Sequence, residues 1–379
     1  KPLESSPENV LRKAHDLFRK ETGYTFKALA ELEYYVISDR EDFYPGVDQK
    51  GYHASEPYAK YENLRREALL YVAQAGGKIK YGHSEVGCFM TEDKLYEQHE
   101  IEFLPTNAED AVDQLVIAKW IVRMLGYRYG VEISYAPKII VGKAGSGLHF
   151  HMLIEKDGKN LLVEDSKLSP LAKRMIAGIL DSADALTAFG NTIPTSYLRL
   201  VPHQEAPTYI CWGDRNRSVV VRVPLGWTGA NNMIADANPV ECGCQGPKES
   251  KQTYEFRVAD GSADPHLTVA GLIIASLNGI RRADSLEMAE KLYAHVNIFS
   301  PEFKEKLASL NQLPASCFES ADVLDKKRAI FEADGIFPKG MIDSKIKKLK
   351  SYNDKGLSER IYGKNEEIKT LVEQYIHIA

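Results

Sequence analysis

The sequence lacks the features that mark secreted, membrane or fibrous proteins. Its 379 residues include only five cysteines, an odd and scattered set, which argues against a secreted disulfide framework. No apolar run reaches the length of a membrane-spanning helix, and no signal-peptide pattern opens the chain. Internal repeats and low-complexity tracts are also missing. We therefore expect a globular, cytoplasmic protein that does not insert into a membrane.

The sequence also lacks an excess of positive charge. Its formal net charge is -5, which argues against nucleic acid as the main partner. The composition is ordinary for a globular protein, with 44% hydrophobic and 27% charged residues. A chain of this length can bury a substantial core.

Several common functional motifs are absent or incomplete. The segment AGSGLH, at residues 144–149, lacks the ending of a phosphate-binding P-loop and does not match the dinucleotide-binding glycine pattern. Cys242 and Cys244 are too close together to form a zinc knuckle by themselves, and we interpret them as incidental. No serine, histidine and aspartate arrangement stands out.

The most informative stretch covers residues 197–224, where arginines lie among valine, isoleucine, tyrosine and tryptophan. Such a composition predicts strands with one buried face. Arginines that project from these strands indicate a cleft that binds carboxylate or phosphate, although a solvated sheet face is the alternative. The arginines concerned are Arg199, Arg215, Arg217 and Arg222.

Three further predicted strands each carry two ionisable residues spaced two apart, which places both on one face. The pairs are Glu31 with Glu33, His149 with His151, and Glu255 with Arg257. Together with Glu85 and Glu100, they predict a metal-and-anion cleft. Carboxylates with one or two imidazoles suit Mg²⁺ or Mn²⁺ better than structural zinc. Arginines opposite such a cluster are typical of phosphoryl transfer.

Helical periodicity and capping residues predict the elements around these strands. We expect a helix from Ser6-Pro7 to Gly23, helices over residues 58–75, 107–126 and 265–280, and another that starts at Ser169-Pro170. The sequence predicts a strand over residues 139–141 and a hairpin turn at Asp157-Gly158. Charged amphipathic helices dominate from residue 285 onward. The predicted fold class is α+β.

Six segments resemble motifs of the glutamine synthetase family, in order and over nearly the whole chain. They are ELEYYV, YGHSEV, AGSGLHFHM, RLVPHQEAP, RNRSVVVRVP and YEFRVADGSADPHL. The resemblance implies the catalytic-domain fold shared with guanidino kinases, a curved and largely antiparallel sheet with helices packed outside and the site on its concave face. Residues 1–379 would form one catalytic domain, of which residues 285–379 are the helical C-terminal part.

The resemblance also implies a role for each site residue. One metal site would use Glu33, Glu85 and Glu100, and the other Glu31, His149 and Glu255. Substrate binding would fall to Arg199 and Arg257, which would hold the α-carboxylate, and to the Gly145 backbone near the amino group. Arg217 and Arg222 would neutralise the transferring phosphate, Glu205 would act from a closing flap, and His151 would lie by the nucleotide.

The implied reaction joins ammonia to glutamate through γ-glutamyl phosphate, with ATP as substrate and two Mg²⁺ or Mn²⁺ ions. Relatives of this kind form ring-shaped homo-oligomers and begin with a small β-grasp domain. Nothing in these 379 residues resembles that domain. We therefore expect the chain by itself to bind nucleotide and Mg²⁺ weakly and to make little or no glutamine.

Departures from the family pattern leave three questions open. Ala144 stands in place of an asparagine, His203-Gln204 in place of a glycine-tyrosine pair, and Thr253 in place of an arginine. These changes leave room for an amine or polyamine as acceptor, or for a non-catalytic relative. Glu102 rivals Glu100 as a metal ligand, because Glu85 and Glu100 are farther apart than is usual in the family.

Overall fold

The structure is a computed structural model that describes residues 2–201, 206–226 and 251–378. The strands carry the site and are numbered in chain order. They are β1 Thr25–Asp39, β2 Ile79–Met90, β3 Lys94–Phe103, β4 Thr106–Asn107, β5 Glu132–Ser134, β6 Leu148–Lys156, β7 Lys159–Asn160, β8 Val163–Glu164, β9 Lys167–Leu168, β10 Trp212–Asp214, β11 Val221–Val223 and β12 Tyr254–Phe256.

The helices are numbered in the same way. They are α1 Pro7–Thr22, α2 Glu62–Gln74, α3 Ala108–Tyr129, α4 Pro170–Gly190, α5 Ser196–Arg199, α6 Pro265–Arg281, α7 Ser285–Lys291, α8 Lys304–Ser309, α9 Cys317–Glu332, α10 Lys339–Ser351, α11 Leu357–Ile361 and α12 Asn365–Tyr375. In the described part of the chain, no helix combines the length and apolarity needed to cross a membrane.

The sheet is largely antiparallel, as the sequence predicts. Its main path runs β10-β11-β12-β6-β1-β3-β2, and only the pairing of β10 with β11 along this path is parallel. The long strand β1 lies between β6 and β3 and also pairs with β4 and β5. Sheet and flanking helices give the α+β fold expected from the sequence.

The two faces of the sheet differ because side chains alternate along each strand. The even-numbered residues of β1, from Phe26 to Val36, and those of β6, from Leu148 to Ile154, are buried and mostly join the core with the helices. Glu31 and Glu33 in β1, and His149 and His151 in β6, point to the opposite face. One alternating pattern therefore builds both the core and the candidate site.

Helices α4 and α6 pack closely through two glycines. A Cβ at Gly178 would lie 2.0 Å from the Ala275 carbonyl oxygen, and one at Gly279 would lie 2.0 Å from the Arg174 carbonyl oxygen. Neither glycine could carry a side chain without separating the helices. This contact fixes the helical layer that supports the sheet.

The prediction of strands over residues 197–224 was wrong for most of that stretch. Within its described parts, residues 197–201 and 206–224, only β10 and β11 are strands, and Arg199 lies instead at the end of helix α5. Between β10 and β11 the chain turns, with Arg215 at a φ of 54°. Gly213 and Asn216 favour a turn here more strongly than the neighbouring valines favour a continuous strand.

Two boundary predictions also differ from the structure. Residues 139–141 do not form a strand, and the helix expected over residues 107–126 continues to Tyr129 and ends at Gly130, whose φ of 70° is left-handed. Gly126 lies inside the helix and does not end it; a Cβ at this position would lie 2.4 Å from Ile133 Cγ1, so the close contact with β5 favours glycine here. The Asp157-Gly158 turn between β6 and β7 was predicted correctly.

Candidate active site

Strand register brings the predicted ionisable pairs together. Glu31 in β1 lies opposite His149 in β6, and Glu255 in β12 lies opposite His151. On the other side of β1, Glu33 lies opposite Glu100 in β3. Residues directly opposite one another share a face, so these carboxylates and imidazoles meet on the face away from the core.

The tightest group consists of Glu31, His149 and Glu255. The Nδ1 atom of His149 lies 3.1 Å from Glu31 Oε2 and 3.3 Å from Glu255 Oε1. All three residues are buried, and their ligand atoms lie within 4.8 Å of one another. This arrangement could hold one metal ion.

A second group lies toward β2 and β3. His83 Nε2 is 3.0 Å from Glu100 Oε1, and His83 Nδ1 is 4.0 Å from Glu85 Oε1. Glu85 and Glu100 thus meet, as the sequence predicts, but the third member is His83. Glu33 stands between the two groups, with its Oε1 atom 3.8 Å from His149 Nε2.

Glu100 and its rival Glu102 have different surroundings. Glu102 Oε2 accepts a hydrogen bond from Lys80 Nζ at 2.5 Å, so a lysine already balances its charge. Glu100 belongs both to the group with His83 and to a third group with Glu31 and Glu102. Glu100 therefore belongs to two of the three carboxylate groups in the described part of the chain, and Glu102 to one.

Burial and mutual repulsion shift the ionisation of these carboxyls. Burial and the neighbouring Glu85 raise the pKa of Glu33 to about 8. Burial and the charges of Glu31 and Glu33 likewise raise the pKa of Glu100 well above its ordinary value. Burial opposes ionisation of Glu31 too, but His151 and His149 outweigh it and hold its pKa well below the ordinary value.

The two histidines of β6 shift in opposite directions. Burial, together with Arg257, lowers the pKa of His149 to about 4, so this imidazole is neutral and able to donate its lone pair to a metal. Burial also disfavours the charged form of His151, but Glu31 and Glu255 outweigh it and raise the pKa of His151. His149 is therefore the better metal ligand of the two.

The donor set fits a divalent cation. Buried carboxylates that repel one another are costly, and a cation among them removes that cost. Oxygen-rich sets with an imidazole match Mg²⁺ or Mn²⁺. The pKa values of Glu33 and Glu100 are raised first by burial and then by the neighbouring carboxylates, and a bound cation would oppose both effects.

A cavity of about 260 Å³ opens beside the carboxylates. Its lining includes Glu33, Glu85, Gly145, Arg199 and Arg257. Arg199 is buried and donates from Nη1 to the Val258 carbonyl at 2.9 Å and from Nη2 to the Arg257 carbonyl at 3.2 Å. Carboxylates on one wall and guanidinium groups on the other suit an anionic molecule bound next to a metal.

Steric crowding explains why the segment 144–147 carries glycine at two positions. A Cβ at Gly145 would lie 2.5 Å from the Pro137 carbonyl oxygen, and one at Gly147 would lie 2.4 Å from His149 Nε2 and 2.6 Å from Arg199 Nη2. Only glycine allows this backbone to pass between the histidine and the arginine. The segment thus forms a cavity wall rather than a phosphate-binding loop.

Two arginines surround Glu255 in the first group. Arg257 Nη1 donates to Glu255 Oε1 at 2.6 Å, and Arg222 Nε donates to Oε2. These guanidinium groups outweigh the effect of burial and lower the pKa of Glu255. Arg222 therefore contacts the group of Glu31, His149 and Glu255, and its predicted role in neutralising a transferring phosphate stays a prediction.

The other predicted residues are more scattered. Arg217 is exposed and stacks over the ring of Tyr52 at 5.8 Å, beside the second group rather than within the first. His151 Nε2 donates to Glu31 Oε1 at 2.8 Å, and His151 Nδ1 lies 2.8 Å from the Thr253 hydroxyl oxygen. Arg215 lines a different cavity with Trp212 and Tyr293.

Glu205, like His203 and Gln204, lies outside the described residues.

Sequence reasoning missed Gln98, which connects the parts of the site. Its Nε2 atom donates to Glu33 Oε2 at 3.1 Å and to the Gly145 carbonyl at 3.0 Å, while its Oε1 accepts from the Gly87 amide at 2.9 Å. The signal was present, because Gln98 lies two residues before Glu100 on the same strand. Because an amide carries no charge, Gln98 does not belong to the pattern of ionisable pairs.

Lys138 is the second residue that sequence reasoning missed. It is buried at the cavity and donates to the Lys143 carbonyl at 2.8 Å. Burial and Arg199 lower its pKa to about 8. Nothing in the sequence pattern distinguishes this lysine from a surface one.

Fold and site together define an α+β protein whose curved sheet presents buried carboxylates, imidazoles and arginines to one cavity. Comparison with known proteins agrees with that class. The catalytic domain model of glutamine synthetase matches residues 4–359. Glutamine synthetase of Pyrococcus furiosus is 32% identical over 354 residues, which cover 93% of this chain and 73% of the relative. That of Thermococcus kodakarensis is 31% identical over 353 residues, 93% of this chain and 72% of the relative.

Solved structures show the same fold. The cryo-electron microscopy structure of Plasmodium falciparum glutamine synthetase superposes with a TM-score of 0.71 and 22% identity, covering 96% of this chain and 78% of that one. The crystal structure of a glutamine synthase homologue gives a TM-score of 0.70 at 23% identity, covering 94% of this chain and 72% of that one. The chain belongs to the glutamine synthetase family.

Proposed function

We propose that this protein catalyses the ATP-dependent ligation of ammonia to the γ-carboxylate of glutamate, giving glutamine, ADP and phosphate. The observation that carries the proposal is the convergence of Glu31, His149 and Glu255 beside a cavity lined by Glu33, Arg199 and Arg257. Family membership makes glutamate, ATP and ammonium the first substrates to test. We also propose that residues 1–379 form one catalytic domain, with residues 285–379 as its helical part, and that the protein works in the cytoplasm as a homo-oligomer.

Two divalent ions would bind on the face of the sheet that points away from the hydrophobic core. Glu31, His149 and Glu255 would hold one, and Glu33, Glu85 and Glu100 the other, with His83 close to the second. When bound, the ions supply Lewis acidity and neutralise charge between the carboxylate and the triphosphate. The protein fixes the ligands through Gln98 and through the Gly147 amide, which donates to Glu33 Oε2 at 2.7 Å.

The arginine wall would position glutamate. Arg199 and Arg257 would bind the α-carboxylate, and the Gly145 backbone would lie near the amino group. Arg199 is held by the carbonyls of Val258 and Arg257, so its guanidinium is oriented before substrate arrives. A γ-carboxylate oxygen would then point toward the carboxylate groups that hold the metals.

In the first step, the γ-carboxylate oxygen attacks the terminal phosphorus of ATP, and the bond from that phosphorus to the ADP oxygen breaks. Arg222 would neutralise the charge that develops on the transferring phosphate, with Arg217 at the entrance and His151 near the nucleotide. The product is γ-glutamyl phosphate. Exclusion of water protects this acyl phosphate from hydrolysis.

In the second step, Glu205 takes a proton from ammonium, and the resulting ammonia attacks the acyl carbon. The carbon-oxygen bond to phosphate breaks, the departing phosphate takes a second proton from the newly attached nitrogen, and the neutral amide remains. Glu205 acts only in this step. Its removal should therefore stop glutamine formation without preventing binding of the substrates of the first step.

A γ-glutamyl amine ligase is the second candidate, and Ala144 favours it. Ala144 lines the cavity next to Gly145 and Arg199, and its amide donates to Gln49 Oε1 at 2.7 Å. A methyl group at this position leaves more space than the asparagine of the family pattern. A bulkier amine or a polyamine could use that space.

The test is calorimetric binding of a phosphonate mimic of γ-glutamyl phosphate in the presence of ADP and Mg²⁺. We expect binding by the wild-type chain and by Glu205→Ala, and its loss in Arg199→Ala. Sensitive assays of the wild type with ammonium and a panel of amines then identify which acceptor supports even the low turnover that we expect of the chain by itself. Absence of metal-dependent binding of the mimic would refute ligase chemistry and favour a non-catalytic relative.

A further inference from the structure

Residues 46–53, in the loop between β1 and α2, lie along strand β2 beside the cavity. The Gln49 amide donates to the Cys88 carbonyl of β2 at 2.8 Å. A Cβ at Gly51 would lie 2.5 Å from the Glu85 carbonyl oxygen, so only glycine allows the loop to approach β2 this closely. Backbone contacts with β2 therefore hold the loop next to the candidate metal ligands.

Gln49 is a residue of this loop that reaches the cavity. It is half-buried and lines the cavity together with Glu33, Ala144 and Arg199. Its φ of 56° is left-handed, a conformation that is unfavourable for a residue other than glycine. Such strain persists only where the surrounding structure imposes it, and it is concentrated at binding sites. The strained backbone is therefore consistent with a role of Gln49 in binding.

The carboxamide of Gln49 contacts the opposite wall of the cavity at Ala144. Its Oε1 atom accepts a hydrogen bond from the Ala144 amide at 2.7 Å. Near the surface, Lys143 Nζ lies 2.6 Å from Asp48 Oδ2 and joins the same two segments. A carboxamide oxygen has two lone pairs, so Gln49 Oε1 can accept a hydrogen bond from a bound molecule as well as from the wall.

Position 144 is one of the departures from the family pattern. The pattern has asparagine there, whose carboxamide would extend from the wall itself, whereas Ala144 has only a methyl group. Gln49 brings a carboxamide to the amide of Ala144 from the neighbouring loop. The chemical group that is missing from position 144 is thus present at the cavity, supplied by another part of the sequence.

We propose that Gln49 is a specificity-determining residue, whose Oε1 atom accepts a hydrogen bond from the α-amino group of the amino-acid substrate. The inference rests on the proposed function, in which the Gly145 backbone lies near that amino group and Arg199 binds the α-carboxylate. Because Ala144 directly precedes Gly145, the Gln49 carboxamide lies next to the segment assigned to the amino group. An ammonium group has three donors and no acceptor, which suits a carboxamide oxygen.

The test is calorimetric binding of the phosphonate mimic of γ-glutamyl phosphate in the presence of ADP and Mg²⁺. Gln49→Ala should weaken binding of the mimic at least tenfold, the effect expected for loss of a hydrogen bond to a charged group. The affinity for Mn²⁺ should stay unchanged, because Gln49 belongs to none of the carboxylate groups described above. A mimic without the α-amino group should bind wild type and Gln49→Ala equally well.

Asp48→Ala is the matched control. It removes the other contact between the loop and the wall, which lies at the surface, and it should leave affinity for the mimic within about threefold of wild type. Circular dichroism and the melting temperature of each variant show that it is folded. An effect of Asp48→Ala as large as that of Gln49→Ala would overturn the inference, because the loop would then act only through its position.

Returning the carboxamide to position 144 separates recognition from a structural role. The double variant of Gln49→Ala with Ala144→Asn should recover affinity for the mimic to within about threefold of wild type. Equal binding of the mimic by wild type and Gln49→Ala would overturn the inference, and so would a double variant as weak as Gln49→Ala. A wild-type chain that binds Mn²⁺ but not the mimic would instead overturn the proposed function, and this inference with it.

Discussion

Replacing Glu33 by glutamine should make the metal-free protein more stable at neutral pH and less stable once metal is added. Glu33 is buried beside Glu85, and its pKa is raised to about 8 from an ordinary 4.5. A carboxyl whose pKa is raised in the folded state stabilises the fold at pH values below 4.5. That contribution is lost as the pH rises through about 8. Glutamine keeps the hydrogen-bonding shape without the charge.

The magnitude follows from the pKa. One pKa unit corresponds to 1.36 kcal/mol, so partial ionisation of Glu33 between pH 6 and pH 8 costs wild type about 2 kcal/mol of unfolding free energy. Other groups titrate in the same range, among them Lys119 and Lys138, each with a pKa lowered by burial to about 8. Both proteins contain these lysines, so their effects cancel in the difference.

The assay is urea denaturation of wild type and Glu33→Gln at pH 6 and pH 8, first with chelator and then with Mn²⁺. Without metal, the variant should gain about 2 kcal/mol relative to wild type as the pH rises. At a Mn²⁺ concentration a hundred times the dissociation constant, wild type should gain about 3 kcal/mol and the variant much less. A stability difference that is independent of both pH and Mn²⁺ would refute the view of Glu33 as a strained metal ligand.

Three further substitutions test other parts of the site. Gln98→Leu removes the hydrogen bonds to Glu33 and Gly145. We expect this variant to bind Mn²⁺ at least tenfold more weakly in calorimetry. An unchanged affinity for Mn²⁺ would show that the amide only fills space. Arg222→Met should weaken Mg²⁺-dependent ADP binding at least tenfold, whereas the surface control Arg282→Met should not. Equal effects of the two substitutions would contradict the proposed role of Arg222 in neutralising phosphate charge. Thr253→Val leaves a nitrogen of His151 without its hydrogen-bond partner. The free energy of unfolding measured by urea denaturation should fall by about 1 to 3 kcal/mol. An unchanged free energy of unfolding would contradict that hydrogen bond.

Much of the site followed from a single physical rule, the alternation of side chains along strands. It was enough to place Glu31 with Glu33 and His149 with His151 on one face, and their neighbours in the core. It could not supply the register between strands. Which carboxylate meets which imidazole depends on pairings between segments more than a hundred residues apart, such as Glu31 with His149.

Prediction from the sequence was wrong or incomplete where turns and uncharged groups determine the structure. Arg199 lies in a stretch that composition predicts as strand, yet it occupies a short helix whose end is fixed by contacts with Val258 and Arg257. His83 joins Glu85 and Glu100 in the second group because of local geometry in β2 and β3 that no spacing rule contains. Gln98 was missed because its role depends on hydrogen bonds and not on charge.

The central claim is that far-separated carboxylates and one imidazole form two adjacent sites for divalent ions. The most direct measurement is the number of Mn²⁺ ions bound per chain, determined by electron paramagnetic resonance with Mg²⁺ competition. We predict two ions for wild type, both displaced by Mg²⁺, and one for His149→Ala. A folded wild-type chain that binds no Mn²⁺, or a His149→Ala variant that still binds two ions with wild-type affinity, would contradict the claim.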